Sequence, residues 1–122
     1  MTRKQDVGKT GEDEAVKYLE GRGYRIIERN HRQKWGELDI VAKAPDKTLV
    51  FVEVKAISQP GDISPEENLK YDKLRKLRRT AALYANGHPQ LANDKQSWRI
   101  DLLAINLTYM SSSDNIRHYE NI

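Results

Sequence analysis

Hydrophobic positions along the chain switch between a helical and a strand period, and the switches lay out its elements. Glu12, Ala15, Val16 and Leu19 recur at helical spacing within residues 6–21. Asp6 or Thr10 can cap that helix, with Asp13 three residues after Thr10, and Gly21 and Gly23 stop it. Tyr24 to His31 reads as a strand with imperfect alternation and one basic, solvent-facing side. In Glu37 to Lys43, alternation puts Leu38 and Ile40 on one face and Glu37, Asp39 and Val41 on the other. Ala44-Pro45-Asp46-Lys47 is a turn short enough to join this strand to Leu49-Val50-Phe51-Val52-Glu53-Val54-Lys55 as an antiparallel hairpin. The continuous apolar run of that third strand marks a strand buried on both faces.

Ser58 to Asp62 is a loop, and Ser64-Pro65-Glu66-Glu67 then starts a helix, with a capping serine, proline at the first helical position and glutamate at the third. The helix runs to about Asn86, where Gly87 and Pro89 end it. Tyr71, Leu74, Leu77, Ala81 and Tyr84 form its apolar stripe, with Tyr71 and Tyr84 expected in the core. Lys70, Lys73, Arg75, Lys76, Arg78 and Arg79 occupy its other faces. Gln90 to Ser97 is a polar loop, Trp98 to Ile105 a fourth strand, and Ile116 to Tyr119 either a short edge strand or an irregular tail. The order helix, three strands, long helix, strand predicts a mixed α/β layer in which the fourth strand runs parallel to a neighbour.

Four ionised groups sit on these otherwise core-like stripes: Glu12, Asp39, Glu53 and Lys55. Ionised side chains are almost never fully buried unless paired or bound to a metal. If the second and third strands pair as a hairpin, Asp39 and Glu53 lie side by side on one face, and two close carboxylates favour uptake of a proton or a cation. Hard oxygen ligands suit Mg²⁺ or Mn²⁺, which need only one or two carboxylates besides water and substrate phosphate. Lys55, one step along the same face as Glu53, is placed to orient or activate an attacking water and to stabilise charge on a phosphate. The expected chemistry is hydrolysis of a phosphodiester.

Composition narrows the alternatives. The length of 122 residues fits one domain, and the absence of cysteine excludes disulfides, thiolate catalysis and Cys-based zinc sites. The three histidines are widely separated, so a zinc site is not expected. No apolar stretch approaches a membrane span and the first residues lack a secretion signal's apolar core, so the expected compartment is the cytoplasm, with no membrane partner. The net charge of +3 leans toward a polyanionic partner, and the cations concentrate in residues 70–79, where six face only Asp72. That row is either a solvated face or a phosphate track read without sequence preference. Lys70, Lys73, Lys76 and Arg79 are its candidate contacts, and Arg32 and Lys34, with Arg29 and His31, extend the basic surface. Trp35 either stacks on a base or packs locally.

Asp39, thirteen intervening residues and then Glu53-Val54-Lys55 resemble the D-x(n)-E-x-K signature of the PD-(D/E)XK nuclease superfamily. Gly11-Glu12, Gly23-Tyr24, Arg29-Asn30, Gly36-Glu37-Leu38-Asp39, Phe51 to Lys55, the Lys73-to-Tyr84 helix and Arg99-Ile100-Asp101 resemble, in that order, the bacterial YraN-like family, UPF0102. The resemblance implies an α/β, restriction-endonuclease-like αβββαβ core, a mixed central sheet flanked by helices, similar to Holliday junction resolvases. It implies one nuclease-like domain over 1–122, acting as a Mg²⁺- or Mn²⁺-dependent endonuclease on DNA, with branched DNA as a candidate substrate, and a homodimer by kinship. By position, Asp39 and Glu53 would be metal ligands, the Val54 carbonyl a further ligand, Lys55 the catalytic lysine, and Glu12 an auxiliary acid on metal or water. One departure stands out: the family usually carries Thr and Arg directly after the lysine, where this chain has Ala56 and Ile57. That departure motivates the alternative of a weak or inactive nucleic-acid-binding module with the nuclease fold.

Overall fold

A computed structural model describes residues 3–57, 71–92, 98–107 and 115–122. The elements run α1 (Arg3–Gly21), β1 (Arg25–Gln33), β2 (Gly36–Lys43), β3 (Leu49–Ile57), α2 (Tyr71–Gly87), β4 (Arg99–Asn106) and β5 (Ile116–Tyr119). The five strands form one mixed sheet in the order β1-β2-β3-β4-β5. β1, β2 and β3 meander antiparallel, β4 returns parallel to β3 after the α2 crossover, and β5 closes the edge antiparallel to β4. This is the expected αβββαβ order with one added edge strand, consistent with a restriction-endonuclease-like core. The expected Ser64 helix start, the Ser58 loop and Lys70 lie outside the described residues, as does most of the Gln90-to-Ser97 loop. No helix among the described residues is long and apolar enough to cross a membrane.

Local chemistry explains where the elements begin and end. α1 closes with the Tyr24 N–H bonding the Leu19 carbonyl at 3.0 Å and the Gly23 N–H bonding Glu20 at 3.1 Å, with Gly23 at φ +89°. This is a Schellman closure in which only glycine is unstrained, and Tyr24 packs in the same core as Leu19. In the β2–β3 turn the Asp46 carboxylate takes the Thr48 N–H at 3.0 Å, while Lys47 bonds back to Ala44 at 2.8 Å.

β3 lies mid-sheet with a core on each face. Ala15 and Leu19 of α1 cover Ile40, Ala42, Val50, Val52, Leu103 and Ile105. Leu77, Ala81, Tyr84 and Ala85 of α2 cover Leu38, Val41, Leu49, Phe51 and Ile100. Each buried valine, leucine, isoleucine or phenylalanine among them contributes about 1.5–3 kcal/mol.

Two expectations are corrected. Leu38 and Ile40 are not on one face: Leu38 packs under α2 and Ile40 under α1. Their partners on β1 show the same flip, since His31, opposite Leu38, packs on Tyr84 of α2, whereas Arg29, opposite Ile40, bonds Asp13 of α1. Between them Asn30 adopts φ 52°, a left-handed conformation that asparagine tolerates, and this breaks the period-two alternation just beside Asp39. Tyr71 is not core but 74% exposed. Burial of α2 begins at Leu77, and six residues earlier the helix is about 9 Å short of that contact.

Candidate active site

The carboxylates of the second and third strands converge where those strands part. The ladder between β2 and β3 reaches Ile40 opposite Val52, and one step further Asp39 would stand across from Glu53. There the Asp39 carboxylate Oδ2 accepts the Val54 N–H at 2.9 Å, so a side chain takes over where strand pairing stops. That bond fixes Asp39 beside Glu53, which is only 9% exposed. Burial and the neighbouring Asp39 carboxylate together push the Glu53 carboxyl up to about 8.

Glu12 enters from α1. Its helix approaches β3 closely because residue 11 is glycine: a Cβ there would stand 2.8 Å from the Ala56 Cβ. Burial and then Asp39 raise the Glu12 pKa, opposed by Arg29, Asn30 and Arg32. Glu12 Oε1 is buried with no hydrogen-bond partner among the described residues, and the Arg29 guanidinium stands 3.8 Å from it. A buried carboxylate oxygen without a protein donor is uncommon, and its chemistry suits a cation or a water as partner.

Lys55 follows Glu53 on the same side of β3 and is half-buried. Burial lowers its pKa first, and the Lys73 ammonium, within hydrogen-bond reach, lowers it further, against the pull of Glu53 and Asp39. Lys73 therefore stands in the site itself and not only on the outer track. Glu12, Asp39, Glu53, Val54, Lys55 and Ala56 line one open cavity of about 960 Å³, together with Lys34, Gly36 and Glu37 of the β1–β2 hairpin and Lys73, Lys76 and Thr80 of α2.

The structure thus brings together all four predicted catalytic residues and Val54, and adds Lys34, Lys73 and Lys76 to the wall. Arg32 acts on Glu12 electrostatically. Arg79 does not reach this cavity but borders a neighbouring one of about 340 Å³ with Asp72, Arg75 and Lys76. His31 is not part of a basic surface, since its Nδ1 meets Glu28 at 3.0 Å and its ring packs edge-on to Tyr84. Asn30, Arg29 and Thr80 were not singled out for the site. The signal for the first was available, because an asparagine inside a strand is a candidate for positive φ. The remaining donors are oxygens only, close enough to repel one another, with one oxygen unsatisfied; this set fits a hard divalent cation.

The profile of "Uncharacterised protein family UPF0102" matches residues 11–105, which contain every residue of the carboxylate cluster. A UPF0102 protein of Desulforamulus reducens is 39% identical over 119 residues, covering 98% of this chain and 96% of the relative. UPF0102 proteins of Alkaliphilus oremlandii, 36% identical over 94% of this chain and 95% of the relative, and of Persephonella marina, 48% identical over 63% and 66%, are also similar. On the strength of that match across its length, the chain belongs to the UPF0102 family.

Proposed function

We propose that this protein is a metal-dependent endonuclease that hydrolyses DNA phosphodiester bonds, with Asp39, Glu53 and Glu12 holding Mg²⁺ or Mn²⁺ and the Val54 carbonyl as a further ligand. The observation that carries the reading is Glu53, a buried acid set against a second carboxylate beside the half-buried Lys55. Such an arrangement raises the free energy of the metal-free site, and a divalent cation relieves it. When bound, that cation would neutralise charge and act as a Lewis acid on the phosphate.

The chain's own groups account for the remaining tasks. Asp39 is held in one orientation by the Val54 N–H. Lys55 Nζ, on the same side of β3 as Glu53, orients the water whose oxygen attacks phosphorus and stabilises the charge that builds on the phosphate as the bond from phosphorus to the leaving sugar oxygen breaks. Lys73, beside Lys55, donates to a non-bridging phosphate oxygen. This lysine answers the departure at Ala56 and Ile57, because a cation that the family usually places after the lysine has a counterpart reaching in from α2. Lys34, Lys76 and, farther out, Arg79 extend a positive track for the backbone.

Linear, flapped and four-way DNA incubated with Mg²⁺ or Mn²⁺ tests the reading. Cutting of at least one form is expected, with loss on adding chelator and a drop of about a thousandfold or more in Glu53→Ala. Absence of cutting on every substrate at high protein concentration, with salt-sensitive DNA binding intact, would leave the inactive binding module as the correct account.

A further inference from the structure

Two of the large apolar side chains exposed in this fold belong to residues that adjoin, along the chain, the lining of the proposed catalytic cavity without lining it themselves. Trp35 is 45% exposed and lies between Lys34 and Gly36, both of which line the cavity from the hairpin side. Tyr71, 74% exposed, directly precedes the lining residues Asp72 and Lys73 on the α2 side. Other aromatic rings of the fold are engaged with one another: Phe51 meets Tyr84 and Trp98, and Tyr84 meets His31 and His88. Trp35 and Tyr71 have no ring partner among the described residues.

The exposure of Trp35 is not that of a loose loop tip. Its neighbour Gly36 lies so close to α2 that a Cβ would meet Thr80 Oγ1 at 2.1 Å, and the Trp35 carbonyl is 3.4 Å from the same hydroxyl. The main chain is therefore held against the helix that carries Lys73, while the Trp35 residue keeps close to half of its surface exposed. A fixed aromatic ring flanked by cations is the arrangement that binds single-stranded nucleic acid, because every base offers a face for stacking and every linkage a phosphate for an ammonium. In continuous duplex the base faces are already stacked and unavailable to such a ring.

Resting on the reading of this cavity as a DNA-cutting site, we infer that Trp35 and Tyr71 are stacking platforms for unpaired bases at its mouth, so that the preferred substrate carries a single-stranded stretch at the cut. The two rings act from opposite walls, one from the β1–β2 hairpin and one from α2, and leave the strand's phosphates to Lys34, Lys73 and Lys76.

Binding separates this inference from turnover. Glu53→Gln protein in chelator is titrated into labelled forked DNA, a single-stranded oligonucleotide and a matched duplex at one salt concentration. The fork and the single strand are expected to bind about tenfold or more tighter than the duplex. Adding Trp35→Ala should remove about tenfold on the fork and little on the duplex, Tyr71→Ala should act in the same direction, and Trp35→Phe should keep most of the preference. Indole emission should fall on binding single strand and not fall in Trp35→Phe, where Trp98 alone reports. Equal weakening on fork and duplex, or none, overturns the inference while cutting by the wild type leaves the nuclease reading standing. Failure to bind any of the three DNAs overturns both.

Discussion

Glu53 and Asp101 lie on adjacent strands of one sheet, Val52 facing Asp101 and Glu53 facing Leu102, yet burial has opposite consequences for them. Asp101 is 0% exposed. It accepts from Arg99 Nε at 3.0 Å, Arg99 Nη2 at 3.3 Å, His118 Nε2 at 2.8 Å and the Asn121 N–H at 3.0 Å. The surrounding groups are themselves joined, with Arg99 donating to the Tyr24 hydroxyl at 2.9 Å and the Tyr18 hydroxyl 3.2 Å from His118 Nδ1. Burial pushes the Asp101 carboxyl up, but the His118, Arg99 and Asn121 hydrogen bonds prevail and hold it below the ordinary range. Glu53 has a second carboxylate for a neighbour and is raised. The donors around a buried acid, and not its depth, decide whether it holds the fold together or waits for a ligand.

The largest effects should come from removing each acid in turn. Asp101→Ala takes from the Arg99 guanidinium its buried carboxylate, leaving it the Tyr24 hydroxyl and the exposed Glu120, and leaves His118 and the Asn121 N–H without their acceptor; it should destabilise the protein by about 3 kcal/mol, read as a fall of about ten degrees in Tm. Glu53→Gln should do the reverse in chelator, raising Tm by several degrees at pH 8.5 while abolishing cutting, because it deletes a charge that the metal-free site holds unfavourably. Equal destabilisation by both substitutions would erase the distinction between them.

The pH dependence should separate the two acids next. The folded-state pKa of Glu53 lies above its unfolded value of 4.5, so the folded form binds the extra proton. Its contribution to stability is full below that value and is lost as pH rises toward about 8. Asp101 is depressed, so its contribution is present at neutral pH and lost as pH falls through the acid range. Thermal denaturation in chelator between pH 5 and 9 should show a decline from pH 5 to about 8 that levels off above it and that Glu53→Gln removes. Because Mn²⁺ must displace the Glu53 proton, its affinity by calorimetry should rise by up to about tenfold per pH unit below 8 and level off above. A flat profile would mean that Glu53 already carries its charge at neutral pH.

The sequence reveals one of these acids far better than the other. Glu53 ends an apolar strand and sits one turn of hairpin from Asp39, so pattern and spacing alone pair them. Asp101 also sits in an apolar strand, but besides Arg99 the residues that satisfy it are His118 of β5 and Asn121 just beyond it, in a segment whose composition is open to either an edge strand or an irregular tail. The order of elements along the chain and the β2–β3 hairpin are legible because period-two alternation and turn chemistry are local. The flip between Leu38 and Ile40 is not, since it goes with a left-handed residue, Asn30, at the facing position of the neighbouring strand. The exposure of Tyr71 was likewise hidden, because helical spacing tells which face a residue occupies and not how far the sheet beneath it extends. Lys73 was visible only as one of a row of cations, and its distinction from Arg79 is a matter of which turn of α2 overhangs the carboxylates.

The smallest effect concerns how Glu12 joins the unsatisfied side of this comparison. Its helix is held against β3 where Gly11 meets Ala56, with no room for a methyl group. Gly11→Ala combines a helix-propensity gain of about 1 kcal/mol with an overpacking cost of about 1–3 kcal/mol, so stability should fall by about 2 kcal/mol or less. The displacement should be felt more by the site than by the fold, because Glu12 is the next residue along α1, and Mn²⁺ affinity should drop severalfold. Ala56→Gly creates the missing space, so the double variant should regain most of the Mn²⁺ affinity even though glycine in a strand weakens the protein further. Affinity that follows Tm through all three variants would mean that residue 11 acts on the fold alone; affinity that returns while Tm does not would tie the position of α1 to the carboxylate cluster.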